Sequence, residues 1–156
     1  MKNTKQKPII PLLCADRHLY SFGQNKTVRN NQTARLLTPW EAVRMAKKII
    51  IDPHKEHFIT IYLCPTRKQP KCELISLGTL TASLVHPREV FRPAIKYNAT
   101  EIIILHNHPS SDVSPSEADI TLTERLKNAG QLLGIEVLDH VIFEKGDRFY
   151  SFENNK

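Results

Sequence analysis

At 156 residues, 40% hydrophobic and 24% charged, the chain is long enough for one domain with its own core and too rich in apolar residues for a disordered polymer. No run approaches the roughly 18 consecutive apolar residues of a membrane-crossing helix, and the apolar stretch near the basic N-terminus is broken by Pro8 and Pro11, unlike a secretory leader, so neither a membrane partner nor export is expected. The net charge of +6 resides in residues 1–35, where Lys2, Lys5, Lys7, Arg17, Lys26, Arg29 and Arg35 face the single acid Asp16, while the remainder is balanced; this argues against a broad nucleic-acid-binding face on the domain itself.

Residues 1–36 show no sustained period and read as a basic, partly disordered arm, with the folded domain expected over 37–156. The arm is the one place where nucleic acid or an acidic partner could be held by charge. Thr38, Pro39 and Glu41 are a helix start, with N-cap, first-turn proline and capping-box acid in order. Trp40, Val43, Met45, Ala46 and Ile50 supply the apolar face of that helix, which Asp52-Pro53 should end. "EHFITIYLC" predicts a strand, "PTRKQPK" a turn, and "CELISLGTLTASLV" a second strand, broken or bulged near Gly78. Pro87 opens a helix through "PREVFRPAIKYNA", with a kink expected at Pro93. "EIIILH" is a short buried strand, and "NHPSSDVSP" a loop. A helix follows over 116–129, with Ala118, Ile120, Leu122 and Leu126 apolar and Gly130 or Gly134 ending it. "IEVLDHVIFE" and "RFYSF" are the last strands, around a turn at Gly146-Asp147. The order predicts a three-layer mixed α/β domain, a sheet with helices packed on it.

His106 and His108 stand two apart at the end of a strand, so both rings point to one side. Imidazole nitrogens so placed suit zinc. With Ser116 as N-cap, Asp119 falls at the third helical position, where the helix holds the carboxylate rigidly and its N-terminus favours the ionised form. Two His and one Asp leave a fourth tetrahedral position for water, which marks a catalytic rather than a structural zinc site. Taken singly, each residue has a plainer explanation: a strand-end histidine facing solvent, or an acid completing a capping box. The spacing H-x-H-x(10)-D, with a strand before and a capped helix after, carries the argument. A water activated in this way needs a carboxylate base outside the ligand set. Glu56, at the start of "EHFITIYL", is the candidate, and spacing alone leaves Glu73 equal to it. Cys14, Cys64 and Cys72 form no C-x-x-C and receive no metal role; they fit reduced thiols in the cytoplasm.

"HNHPSSDVSPSEAD" resembles the JAMM (JAB/MPN) metalloprotease signature, and "GTLTASLVHPREVFRPAIKYNATEIIILHNHPSS", "SPSEADITLTERLKNAGQLLGIEVLDHVIF" and the final "YSF" resemble its RadC-like branch, over about residues 38–152. The resemblance implies a curved mixed sheet flanked by helices, a three-layer arrangement like that of the cytidine deaminases. It implies one zinc held by His106, His108 and Asp119, with Glu56 rather than Glu73 as general base and Ser116 donating to the oxyanion. It also implies cleavage of peptide or isopeptide bonds, with a protein or ubiquitin-like substrate. The branch usually has Gly where Ser111 stands, so a stiffer loop is expected here. His86, Asp139 and His140 also match the branch and read as structural or ligand-orienting groups. His18, His54 and His57 read as surface residues. "PTRKQPKCE" and residues 109–115 are the expected neighbours of a substrate.

Two other readings compete. A RadC-type role in DNA repair or DNA processing would lean on the basic arm, because the helix-hairpin-helix region of longer RadC proteins is not expected in the first 35 residues. An interaction module without catalysis would use the fold for protein contacts, but such domains tend to lose a ligand, and here every expected site residue is present. A zinc deaminase is excluded by the missing P-C-x-x-C.

Overall fold

Every residue of β1 (His57–Leu63) is buried, because it lies inside a five-stranded sheet that is covered on both faces. The structure is a computed structural model and describes residues 37–65, 69–78 and 85–154. The basic arm 1–36, most of the turn at 66–68 and the expected continuation of the second strand through 79–84 lie outside the described residues. The sheet order is β2-β1-β3-β4-β5, with β2 at Lys71–Leu77, β3 at Glu101–Asn107, β4 at Glu136–Phe143 and β5 at Phe149–Ser151. β1 pairs antiparallel with β2 and β3, β3 runs parallel to β4, and β5 returns antiparallel. The fold is therefore mixed α/β, as the order of elements predicts, and agrees with a JAB-like architecture.

Side-chain parity sorts the core into two layers. Ile59, Ile61, Ile103 and Leu105 face α1 (Pro39–Ala46), which buries Ala42, Val43 and Ala46 against them. Phe58, Tyr62, Ile102 and Ile104 face the other way, toward α2 (Pro87–Lys96) and α3 (Glu117–Leu133). Val90, Phe91, Leu122 and Leu126 close that second layer. His106 has the parity of Ile102 and Ile104, so its ring emerges on the α3 side.

α1 begins as expected, with Thr38 and Glu41 forming a reciprocal capping box, but it ends at Ala46 rather than reaching Asp52. A longer helix would need the amides of Ile51 and Asp52, and these go instead to Nε2 of His57, at 3.1 and 3.4 Å. β2 ends at Leu77, beside Gly78 at φ 125°, where a break is expected, and the β1–β2 pairing carries a further irregularity at Ile75, opposite the Phe58–Ile59 step. α2 continues through Pro93, whose missing N–H removes one helical bond without ending the helix. α3 buries Asp119, Leu122, Thr123, Leu126 and Gly130. Ala118 and Ile120, expected on the apolar face, lie exposed, because the helix is rolled to turn Asp119 and Thr123 inward. Gly134, in the left-handed region at φ 67°, ends α3.

Candidate metal centre

The strand end and the helix start meet where the spacing puts them. β3 ends at Asn107, and the ladder to β4 extends one residue further through His108 N donating to Phe143 O at 2.8 Å. That bond keeps His108 in strand geometry and its ring on the same side as His106. Ser116 caps α3 and brings Asp119 to the third position of its first turn. His106 is fully buried, Asp119 nearly so, and the His108 side chain retains 16% of its exposure, so the cluster has one open side.

Three donor atoms converge. His106 Nε2 lies 3.0 Å from His108 Nε2 and 3.2 Å from Asp119 Oδ1, and His108 Nε2 lies 3.8 Å from Asp119 Oδ2. Ligands at about 2.0–2.1 Å from a tetrahedral zinc stand about 3.3 Å apart, so these separations fit a single ion. The remaining ligand valences are already used. His108 Nδ1 donates to the carbonyl of Asp112 at 2.5 Å, which leaves Nε2 as a lone pair. Asp119 Oδ2 accepts from Ser116 N at 2.8 Å and Ser116 Oγ at 2.6 Å, so Oδ1, the oxygen beside His106, is the one without a Ser116 bond. Burial alone would push the Asp119 carboxyl up, but the His106 ring, whenever it carries a proton toward Oδ1, and the Ser116 donors hold it well below the usual carboxylate range. Burial pushes the His106 imidazole down, against the pull of Asp119, so the ring is neutral and ligand-competent near neutral pH.

Glu56 immediately precedes β1. The β1–β3 register pairs Phe58 with His106, and continued by two residues it sets Glu56 opposite His108 on the face toward which both rings point. Its charge acts on the His106 ring. The backbone on both sides of Glu56 is held by one side chain: Asn107 Oδ1 accepts from His57 N at 2.8 Å, and Asn107 Nδ2 donates to Lys55 O at 3.0 Å. The residue between the two histidines thus grips the backbone around Glu56, the candidate base, from the opposite face of β3. Replacing Asn107 by Ala leaves the buried His57 amide unpaired, while Lys55 O keeps the His57 ring as a donor, and should destabilise the fold by about 1–2 kcal/mol, read as a lower urea midpoint. An unchanged midpoint would show that the clamp contributes nothing. Glu73, the alternative base, is instead bonded to the Tyr97 hydroxyl.

Other expectations need correction or completion. His57 is a fully buried residue rather than a surface one; its Nδ1 donates to Lys55 O at 2.9 Å, and its Nε2 receives the Ile51 and Asp52 amides. A histidine inside a strand is buried when both ring nitrogens find backbone partners. Ser116 Oγ accepts from Asp119 N at 3.2 Å and commits its one proton to Asp119 Oδ2, so its observed work is capping and orienting the carboxylate. His86 caps α2 through Nδ1. Asp139 receives Ser151 Oγ and Glu153 N, at 2.6 and 3.1 Å, and ties down the end of β5. His140 reaches the cluster: its Nε2 lies 2.8 Å from His106 Nδ1. Ser111 takes φ 65°, a conformation that favours Gly, and its carbonyl accepts from Arg148 at 3.1 Å while Glu144 anchors the same guanidinium. Asn107, Thr123 and Arg148 carry no motif, and only the tertiary contacts mark them.

Two clefts flank Pro109. One, about 300 Å³, is lined by His108, Lys47, Ile50, Phe143 and Lys145; the other, about 460 Å³, by Glu56, Lys55, Gly78 and Ser110. A larger cavity of about 800 Å³ lies at the start of β3 and β4, among Thr100, Glu101, Gly134 and Glu136. It holds none of the convergent donors, so volume is a poorer guide to this site than chemistry.

Residues 36–156 match the RadC-like JAB domain. The chain is 43% identical over 134 residues to the UPF0758 protein of Chlorobium chlorochromatii, which covers 86% of this chain and 60% of that protein. It is 41% identical over 133 residues to a UPF0758 protein of Staphylococcus haemolyticus, covering 85% and 58%, and 50% identical over 106 residues to one from Chlorobaculum tepidum, covering 68% and 47%. The chain therefore spans about half to three-fifths of the length of these relatives, whose names specify no reaction.

Proposed function

The chain belongs to the RadC-like JAB domain family, and from that membership we propose that it is a zinc-dependent hydrolase of peptide or isopeptide bonds. The observation that carries the reading is the convergence of His106 Nε2, His108 Nε2 and the Asp119 carboxylate on one buried point with an open side. Zinc held there would polarise a carbonyl and make water acidic enough to attack at neutral pH. Glu56 takes the proton from the attacking water and returns it to the leaving nitrogen. Ser116 keeps Asp119 Oδ2 occupied so that Oδ1 serves the ion; if its hydroxyl turns to the oxyanion during the reaction, it must first leave Oδ2. The clefts on either side of Pro109 receive the chain on each side of the scissile bond, and a protein or ubiquitin-like substrate matches the reaction class. A cytoplasmic site of action accords with Cys64 and Cys72, neither of which is in a disulfide, and no described helix is long and apolar enough to cross a membrane. A DNA-processing role would rest on the charge of residues 1–35 and would show as binding with a steep salt dependence, lost on their deletion.

The test is metal content. Protein purified without added metal should contain about one zinc per chain, and His108→Ala should lose it, because two remaining ligands do not hold the ion against buffer. A folded wild-type protein that takes up no zinc when offered it would remove the hydrolase reading.

A further inference from the structure

His106 Nε2 serves a cation only while it carries no proton. A neutral imidazole has one proton for two nitrogens, and the partner of the far nitrogen decides where it sits. From His106 the hydrogen bonds run outward through His140 and Thr123 to a main-chain carbonyl, and that end point fixes the direction of every bond. Thr123 Oγ1 lies 2.6 Å from the carbonyl oxygen of Asp119. A carbonyl only accepts, so the hydroxyl proton is spent there. The same Oγ1 lies 2.6 Å from His140 Nδ1, and the proton in that bond must come from the ring. A neutral His140 then has a bare Nε2, 2.8 Å from His106 Nδ1, and the proton between them belongs to His106. His106 Nε2 is left bare, 3.0 Å from the equally bare His108 Nε2 and 3.2 Å from Asp119 Oδ1, three acceptors with no proton among them, an arrangement that a cation satisfies. His106 and His140 are fully buried and Thr123 is 4% exposed, so no water can stand in for a missing partner. The His140 ring is fixed by stacking on Phe152, centroids 4.9 Å apart at 6°, and by the edge of Phe58 at 6.0 Å.

His140 is on this face because of an irregularity in β4. Ile102 pairs with Val137 but Ile103 pairs with Asp139, so Leu138 is an extra residue. Beyond it the parity of β4 is reversed, Asp139 turns away from α3, and His140 turns toward it. One inserted residue therefore brings the second imidazole to the first.

We infer that Thr123 and His140 are positioning residues of the metal centre: the Thr123 hydroxyl, anchored on the carbonyl of Asp119, sets the tautomer of His140, and His140 sets that of His106 so that Nε2 faces the ion without a proton. The inference takes its purpose from the zinc reading, but its geometry stands without it. The relay also ties two ligands together, since it starts on the backbone of Asp119 and ends on the ring of His106. Thr123→Val keeps the shape and removes the hydroxyl. His140 Nδ1–H would then face a methyl group, an unpaired donor in a buried site. Moving each proton one place along the chain relieves this: His140 donates from Nε2 to His106 Nδ1, and His106 carries its proton on Nε2, toward Asp119 Oδ1. His106 would then have to give up that proton before Nε2 could hold a zinc ion.

The experiment is long-range nitrogen–proton NMR of the imidazoles in the metal-free full chain, together with zinc titration. The wild type and Thr123→Ser should carry the His106 proton on Nδ1, and Thr123→Val on Nε2. Zinc affinity should fall about 10- to 100-fold in Thr123→Val and recover in Thr123→Ser. A wild type with the proton on His106 Nε2 overturns the inference by itself, whether or not the variants fold. So does a Thr123→Val protein whose His106 proton stays on Nδ1. If the tautomers behave as expected and no protein binds zinc, the relay stands and the hydrolase reading falls.

Discussion

Glu56→Gln should leave zinc content unchanged and lower the turnover of any peptide the wild type cleaves by about 10²- to 10⁴-fold, the usual range for removing a positioned general base. The amide has the size of the carboxylate and keeps its acceptor oxygen, but it cannot take up a proton. Zinc should stay because the three convergent donors come from β3, the residue just after it and α3, and Glu56 is not among them. Geometry should stay as well: Asn107 holds Glu56 through the backbone of Lys55 and His57, and neither bond involves the Glu56 side chain. Undiminished turnover would remove Glu56 from the mechanism. Zinc loss in the variant would instead make Glu56 a ligand or a support of one.

Gly130→Ala should destabilise the fold by about 3 kcal/mol, read as a large fall in the urea midpoint, although the same change inside an ordinary helix stabilises by up to about 1 kcal/mol. A Cβ at position 130 would lie 2.4 Å from the carbonyl oxygen of Ile135, 3.2 Å from Phe91 Cζ and 3.3 Å from Val137 Cγ2. The nearest of these is backbone, and the amide of Ile135 is itself bonded to Gly130 O at 2.9 Å, so the turn after α3 cannot give way without losing that bond. The helix would have to lift from β4. Asp119 and Thr123 ride on the same helix, and a lifted α3 should therefore weaken zinc binding too. A raised midpoint would mean that α3 has room to shift, and that its seat does not hold the carboxylate in place.

The reading of α3 shows where local and non-local information part. Its start was legible in Ser116 and Asp119, because a capping box is a four-residue device. Its buried face was not. Ala118 and Ile120 are apolar and lie outside, while Asp119 and Thr123 are polar and lie inside, an inversion that only the polar partners across the sheet make favourable. His57 follows the same logic: by residue type it belongs at the surface, and it is buried because the backbone of 51–55 folds over its ring.

Strand parity and helix capping are properties of a few consecutive residues, so the sequence by itself determined that His106 and His108 share a face, that Asp119 opens a helix, and that a zinc-type donor set was available. It also determined the alternation of helices and strands, through period and turn residues. What joins these parts is decided at long range. The extra residue at Leu138 reverses the parity of β4 and delivers His140; Asn107 reaches back 50 and 52 residues to hold both flanks of Glu56; and the seat of α3 depends on the missing side chain of Gly130. A hydrogen bond has a direction only once both partners are known. The proton placement we infer for His106 therefore depends on the tertiary structure, which sets a helix hydroxyl, a strand imidazole and a main-chain carbonyl in one line.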